Sequence, residues 1–75
     1  MLDWNEYRGD LLKRVGDFGK LTPETLHGVM SLGSAGNKTD LLGAKVRELI
    51  ALACAVTTRC DGCIAVHVEA AIKAG

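Results

Sequence analysis

The residues of this chain best equipped for chemistry lie close together in sequence. Cys60 and Cys63 form a C-x-x-C, His67 follows four positions later, and Glu48 stands twelve positions before Cys60. On a helix beginning near Cys60 the two sulfurs sit one turn apart and the imidazole one turn beyond Cys63. All three side chains then project from one flank. Cysteine reacts as its thiolate, and a free thiol has a pKa of about 8.5. A place in the first turn of a helix and a neighbouring imidazole both favour the thiolate. Because His67 stands at i+4 from Cys63, Cys63 is expected to be the nucleophile and Cys60 the resolving thiol. Attack by Cys63 on a peroxide oxygen leaves a sulfenic acid, which Cys60 condenses to a disulfide.

Other chemistries use parts of this set. Zinc could take Cys60, Cys63 and His67, but a fourth ligand would have to come from Glu48, Cys54 or His27, and no second C-x-x-C or H-x-x-x-H accompanies them. A zinc-binding or redox-sensing helical module therefore stands as an alternative to an enzyme. Thioredoxin-like chemistry shares the C-x-x-C but needs a β-α-β setting, which is missing. Haem attachment needs histidine directly after the second cysteine, where Ile64 stands. Cys54, inside an apolar run, reads as a small buried hydrophobe.

The elements around the motif all read as helices. Trp4, Tyr7, Leu11, Val15 and Phe18 make one stripe of a helix from Asp3 to Phe18, with Asp3 and Glu6 as a capping box and Gly16 and Gly19 weakening the far end. This helix reads as packing material. Thr22-Pro23 starts a second helix, with Thr22 as N-cap and Leu21 and Leu26 spaced for a hydrophobic staple. His27 reads as a surface or packing residue. Gly33 to Asp40 is a connector; it matches neither glycine-rich phosphate motif and no strand pattern precedes it.

A third helix is expected from Leu42 to Thr58. Val46, Leu49, Ile50, Ala53 and Val56 form its main stripe, and Ala51, Leu52, Cys54 and Ala55 make the other sides apolar too. A helix apolar all round is buried on all sides. Glu48 shares a face with Leu52 and Ala55. It is either a carboxylate paired with Lys45 or Arg47, or one aimed at His67, and spacing alone leaves both open. Thr57-Thr58-Arg59 is the turn into a fourth helix, whose core stripe is Ile64, Val68, Ala71 and Ile72, with Glu69 and Lys73 as a surface pair. No segment alternates as a strand does. The fold class is all-α, with about four helices in a single domain.

Composition narrows the partners. Net charge is zero and the basic residues are scattered, which argues against a nucleic-acid surface. The longest apolar run, Leu49 to Val56, is far short of the ~20 residues of a membrane span. Met1-Leu2-Asp3-Trp4 has no basic region followed by an apolar core, so a cytoplasmic protein is expected. Hydrophobic residues make up 48% of a 75-residue chain. That is more than a small monomer hides, so self-association is expected.

The stretch from Lys45 to Gly75, KVRELIALACAVTTRCDGCIAVHVEAAIKAG, closely resembles the carboxymuconolactone decarboxylase family, and within it the AhpD-like alkylhydroperoxidase branch. That branch has the signature Glu, eleven residues, C-x-x-C, three residues, His, and Glu48, Cys60, Cys63 and His67 match it position for position. The close match covers about two-fifths of the chain. The resemblance implies an AhpD-like helical fold assembling as trimers or hexamers. It implies that Cys63 attacks peroxide, that Cys60 resolves, and that His67 withdraws the thiol proton with help from Glu48 through a water. No cofactor is implied, and the reducing equivalents would come from a lipoylated or other dithiol donor.

Two departures stand out. The AhpD protein has a histidine just before the second cysteine, where this chain has Gly62, which implies simpler proton handling and weaker peroxidase activity. Family members also continue past the A-G with at least one more helix. A chain ending at Gly75 is then either a fragment or a domain whose packing a neighbouring subunit completes. The decarboxylase branch generally lacks the cysteine pair, so decarboxylation of a lactone is the weaker implication.

Overall fold

The computed structural model describes residues 2–39 and 41–75. Its elements are α1 (Trp4–Leu21), α2 (Pro23–Ser34), a 3-10 turn (Ala35–Lys38), α3 (Ala44–Thr58) and α4 (Asp61–Lys73). The described residues contain no strand, so the chain is all-α, with four α-helices. No helix among them is long and apolar enough to cross a membrane.

Asp3 caps α1, its Oδ1 accepting the N–H groups of Asn5 and Glu6 at 3.1 Å each. Only the Asp3 half of the expected capping box forms. The helix also runs past Phe18, through both glycines, to Leu21. Gly19 is there for a close approach: a Cβ at that position would collide with Leu26 of α2. That contact offsets the ~1 kcal/mol by which glycine disfavours a helix interior. Leu26 therefore packs toward Gly19, and Leu21 is left 85% exposed, so the expected staple does not form. Thr22 holds the N-cap position of α2, but its hydroxyl bonds Thr25 Oγ1 at 2.8 Å rather than a backbone N–H.

The expected connector after Gly33 is partly helical, because α2 continues to Ser34 and the 3-10 turn follows. The connector's last residue, Asp40, lies outside the described residues. Helix α3 begins at Ala44 rather than Leu42. Gly43, with φ +82°, turns the chain into it through a conformation that only glycine adopts cheaply. The Arg47 Nη2 donates to Asn37 Oδ1 at 2.7 Å and ties the 3-10 turn to α3.

Helices α3 and α4 make the core as a tight αα-hairpin. Ala55 and Ala65 are the fully buried residues, at 4% and 1% exposure, and small side chains let the two helices meet closely there. Ala51 and Leu52 of α3, with Ile64, Val68 and Ala71 of α4, are half-buried around them. The buried face of α3 is thus the one that carries Glu48, and not the stripe expected from the sequence. Val46, Leu49, Ile50, Ala53 and Val56 face the other way and are exposed, because no described element covers them. Ile72, placed on the α4 core stripe by its spacing, is exposed as well, and so is Cys54, which was expected to be buried.

Helix α1 lies across α4. Tyr7, Leu11 and Val15, the middle of its expected stripe, are half-buried, while Trp4 and Phe18 at the ends are exposed. Arg8 is the main polar anchor. Its Nε donates to Ala65 O at 2.7 Å, and its Nη1 reaches Asn5 Oδ1 at 3.0 Å and Glu69 Oε2 at 3.4 Å. Between α1 and α4 lies a mostly apolar cleft of about 460 Å³, lined by Trp4, Arg8, Ile64, Val68 and Ile72 among others.

Candidate active site

The turn between α3 and α4 decides where the sulfurs go. The hydroxyls of Thr57 and Thr58 bond back to Ala53 O at 2.8 Å and Cys54 O at 2.9 Å, inside the last turn of α3. Arg59 then takes a left-handed conformation, φ 57° and ψ 40°. Its N–H bonds Val56 O at 3.2 Å, and the Cys60 N–H bonds Ala55 O at 3.0 Å. This is a Schellman ending, usually built on glycine. It delivers Cys60 directly to the N-cap of α4, where its Sγ accepts the Cys63 N–H at 3.3 Å.

A sulfur at an N-cap receives donors that the helix cannot otherwise satisfy. The Cys63 thiol donates to Cys60 Sγ, and the Cys63 and Gly62 backbone N–H groups add to it, so the Cys60 pKa is lowered. The same hydrogen bond works in reverse on Cys63. Holding its proton for Cys60, with burial adding to the effect, Cys63 has its pKa raised. This ordering differs from the expectation that position and imidazole favour the Cys63 thiolate. Cys60 is thus the more acidic of the two thiols, because the N-cap residue and not the residue one turn later meets the free backbone donors.

Opposite this pair, Glu48 and His67 meet directly. Glu48 Oε2 lies 2.6 Å from His67 Nδ1, with the two side chains 28% and 34% exposed. The resemblance placed a water between these groups, whereas the helices approach closely enough for contact. Glu48 reaches His67 because it is on the α3 face that packs against α4, one turn before Leu52 and two before Ala55. Of the two readings left open for Glu48, the partner the structure gives it is the imidazole. A carboxylate at Nδ1 fixes the tautomer with its proton there and leaves Nε2 as the acceptor.

The four expected site residues thus form two pairs, Cys60 with Cys63 and Glu48 with His67. No hydrogen bond joins Cys63 to His67 among the described residues. Nor do three or more His, Cys, Asp or Glu side chains gather there as a metal-ligand set. Cys54 and His27 are both exposed, and neither bonds either pair. None of the four site residues lines the large cleft between α1 and α4.

Two supporting residues had no sequence signal. Arg8 sits on the polar flank of α1 and bonds a carbonyl 57 positions away. Gly62 lies beneath α1: a Cβ there would be 3.2 Å from Leu11 Cδ2 and 3.8 Å from the Tyr7 hydroxyl. Leu11 would have to shift by a few tenths of an ångström to admit a Cβ at this position. Only the motif departure at residue 62 hinted at it.

The model of the carboxymuconolactone decarboxylase family matches residues 23–75, a span that holds α2 to α4 and all four site residues. A Haemophilus influenzae protein is 49% identical over 69 residues, covering 92% of this chain and 61% of its own length. A Cupriavidus necator protein is 30% identical over 64 residues, covering 85% of this chain and 57% of its own. Both are described only as uncharacterized proteins. The chain therefore spans about three-fifths of the length of these curated relatives. With the match running from Pro23 to Gly75 through the helical hairpin and its paired side chains, the chain belongs to the carboxymuconolactone decarboxylase family.

Proposed function

We propose that the protein is a thiol-dependent hydroperoxide reductase of the AhpD-like type. The observation that carries this reading is the 2.6 Å Glu48–His67 contact, made one helical turn from a C-x-x-C whose Cys60 Sγ accepts the Cys63 N–H. Glu48 holds Nδ1–H, and Nε2 accepts the proton of Cys63. The Cys63 thiolate attacks the terminal oxygen of the hydroperoxide, so the S–O bond forms as the O–O bond breaks. The departing alkoxide takes the proton back from His67 and leaves as the alcohol. Cys60, as its thiolate, then attacks the Cys63 sulfur: the S–S bond forms, the S–O bond breaks, and hydroxide leaves, becoming water with the proton Cys60 gave up. Two thiols have reduced one hydroperoxide. A dithiol donor, such as a lipoylated protein, returns the disulfide to the start by exchange.

The lowered pKa of Cys60 favours a second reading, in which Cys60 itself attacks a partner's disulfide and Cys63 resolves the mixed disulfide. Both readings end with Cys60 and Cys63 oxidised together. They differ in the oxidant, and a thiol count separates them. One equivalent of hydroperoxide should remove two of the three thiols and leave Cys54. An unchanged count with hydroperoxide, and two thiols lost to a disulfide substrate, would leave only the exchange reading.

The reading extends to assembly as a homo-oligomer, a trimer or hexamer. A folded chain of this mass exposes about 4,400 Å², whereas this one exposes 5868 Å². The excess of about 1,500 Å² is more than the ~800 Å² that each partner buries in a standard interface. The exposed α3 stripe of Val46, Leu49, Ile50 and Val56 is the face for a second copy. Light scattering that returns a monodisperse monomer at micromolar concentration would remove this part of the reading.

A further inference from the structure

The Tyr7 side chain enters the thiol turn from outside the hairpin. Gly62, between the two cysteines, has no side chain, and helix α1 rests on the space this leaves. Leu11 Cδ2 is 3.2 Å and the Tyr7 hydroxyl 3.8 Å from where a Cβ on Gly62 would be. The Tyr7 ring is half-buried and held edge-on to Trp4, with centroids 6.2 Å apart and planes at 87°. Packing therefore fixes where the phenol points. Its hydroxyl has no hydrogen-bond partner among the described residues, although it borders the N-terminal turn of α4. A helix start favours developing negative charge. A free O–H donor beside it is suited to an oxygen that gains charge as a reaction proceeds.

From this we infer that Tyr7 positions the substrate, its hydroxyl donating a hydrogen bond to the hydroperoxide oxygen that departs as alkoxide when Cys63 attacks. The inference rests on the peroxide-reductase reading and adds a residue to it. Tyr7 moves no proton; it orients the O–O bond and stabilises the leaving oxygen. Gly62 leaves the space open, because a Cβ there would press on Leu11 and stand in van der Waals contact with the Tyr7 hydroxyl.

The test is stopped-flow reaction of the reduced protein with tert-butyl hydroperoxide, run beside iodoacetamide alkylation of the same protein, whose iodide leaving group needs no such donor. Tyr7→Phe keeps the ring and its packing on Trp4. It should slow the peroxide reaction by about 10- to 100-fold and leave alkylation of Cys60 and Cys63 within about twofold of wild type. The factor should stay constant between about pH 6 and 8.5, because a tyrosine hydroxyl keeps its proton there. A peroxide rate within twofold of wild type in Tyr7→Phe would overturn the inference. So would an equal loss in alkylation, which would make Tyr7 a packing residue. Wild-type protein that consumes no hydroperoxide would overturn the reductase reading itself, and the Tyr7 role with it.

Discussion

The α3–α4 hairpin and the α1–α2 pair are built from helices of similar length, yet only the hairpin has a buried centre. Ala55 and Ala65 close it, a Schellman turn fixes the angle between its helices, and both functional pairs lie along it. Helices α1 and α2 contain no fully buried residue, and they meet each other chiefly where Gly19 admits Leu26. The hairpin is made of small side chains at close range. The N-terminal pair is made of large ones that have found only part of their cover. Geometry precise enough for proton transfer needs the first kind of packing, which leaves the second free to serve as a support and as a surface.

The sharpest way to break this comparison is to remove a sulfur. Cys63→Ser should abolish reaction with hydroperoxide, because it deletes the atom that attacks. Cys60→Ser should react once and stop at a sulfenic acid that dimedone traps. An inert Cys60→Ser beside a dimedone-reactive Cys63→Ser would reverse the roles and turn the account toward exchange led by Cys60.

A smaller effect separates the two regions by stability. Ala65→Leu forces a larger side chain into the most deeply buried position of the hairpin and should cost about 1–3 kcal/mol in urea unfolding. Leu32→Ser, at a position 79% exposed, should stay within about 0.5 kcal/mol. Equal losses would mean that the N-terminal pair is as fully packed as the hairpin, for which a second copy on α2 is the ready explanation.

Arg59 offers the smallest change. A non-glycine residue in the left-handed region costs about 1–2 kcal/mol, and Arg59→Gly relieves this while loosening the unfolded chain. The expected net gain is under about 1 kcal/mol, read as a small rise in the denaturation midpoint. A loss of stability would show that the Arg59 side chain holds the turn by contacts of its own.

The sequence disclosed the reacting groups better than it disclosed their surroundings. Glu48, Leu52 and Ala55 recur at helical spacing, and His67 follows Cys63 by one turn, so spacing alone allows a carboxylate facing the imidazole as one of two readings. The choice of buried face is not legible in the same way. On α3 both faces are apolar, and the one that closes on α4 carries the small residues Ala51 and Ala55, not the larger Val46, Leu49 and Ile50 that total hydrophobicity favoured. The order of the thiols was hidden for a different reason. It depends on Cys60 being the N-cap itself, a matter of one residue, and helix ends are read from sequence less finely than that. Arg8 was invisible because its partner is a backbone carbonyl, which no side-chain pattern marks.

The central claim is that Glu48, through His67, controls the proton of Cys63 and not that of Cys60. Iodoacetamide alkylation, followed at each cysteine by mass spectrometry across pH, measures both at once. In the wild type Cys60, with its lowered pKa, has the larger thiolate fraction at every pH below both pKa values and should be labelled first; Cys63, with its raised pKa, should follow at higher pH. Glu48→Gln should move the Cys63 profile to still higher pH and slow peroxide reduction at neutral pH by about 10–100-fold, with the loss shrinking as pH rises. The Cys60 profile should not move, since its donors are the Cys63 and Gly62 groups of α4. Superimposable Cys63 profiles for the two proteins would contradict the account and reduce the Glu48–His67 contact to a structural clasp between α3 and α4.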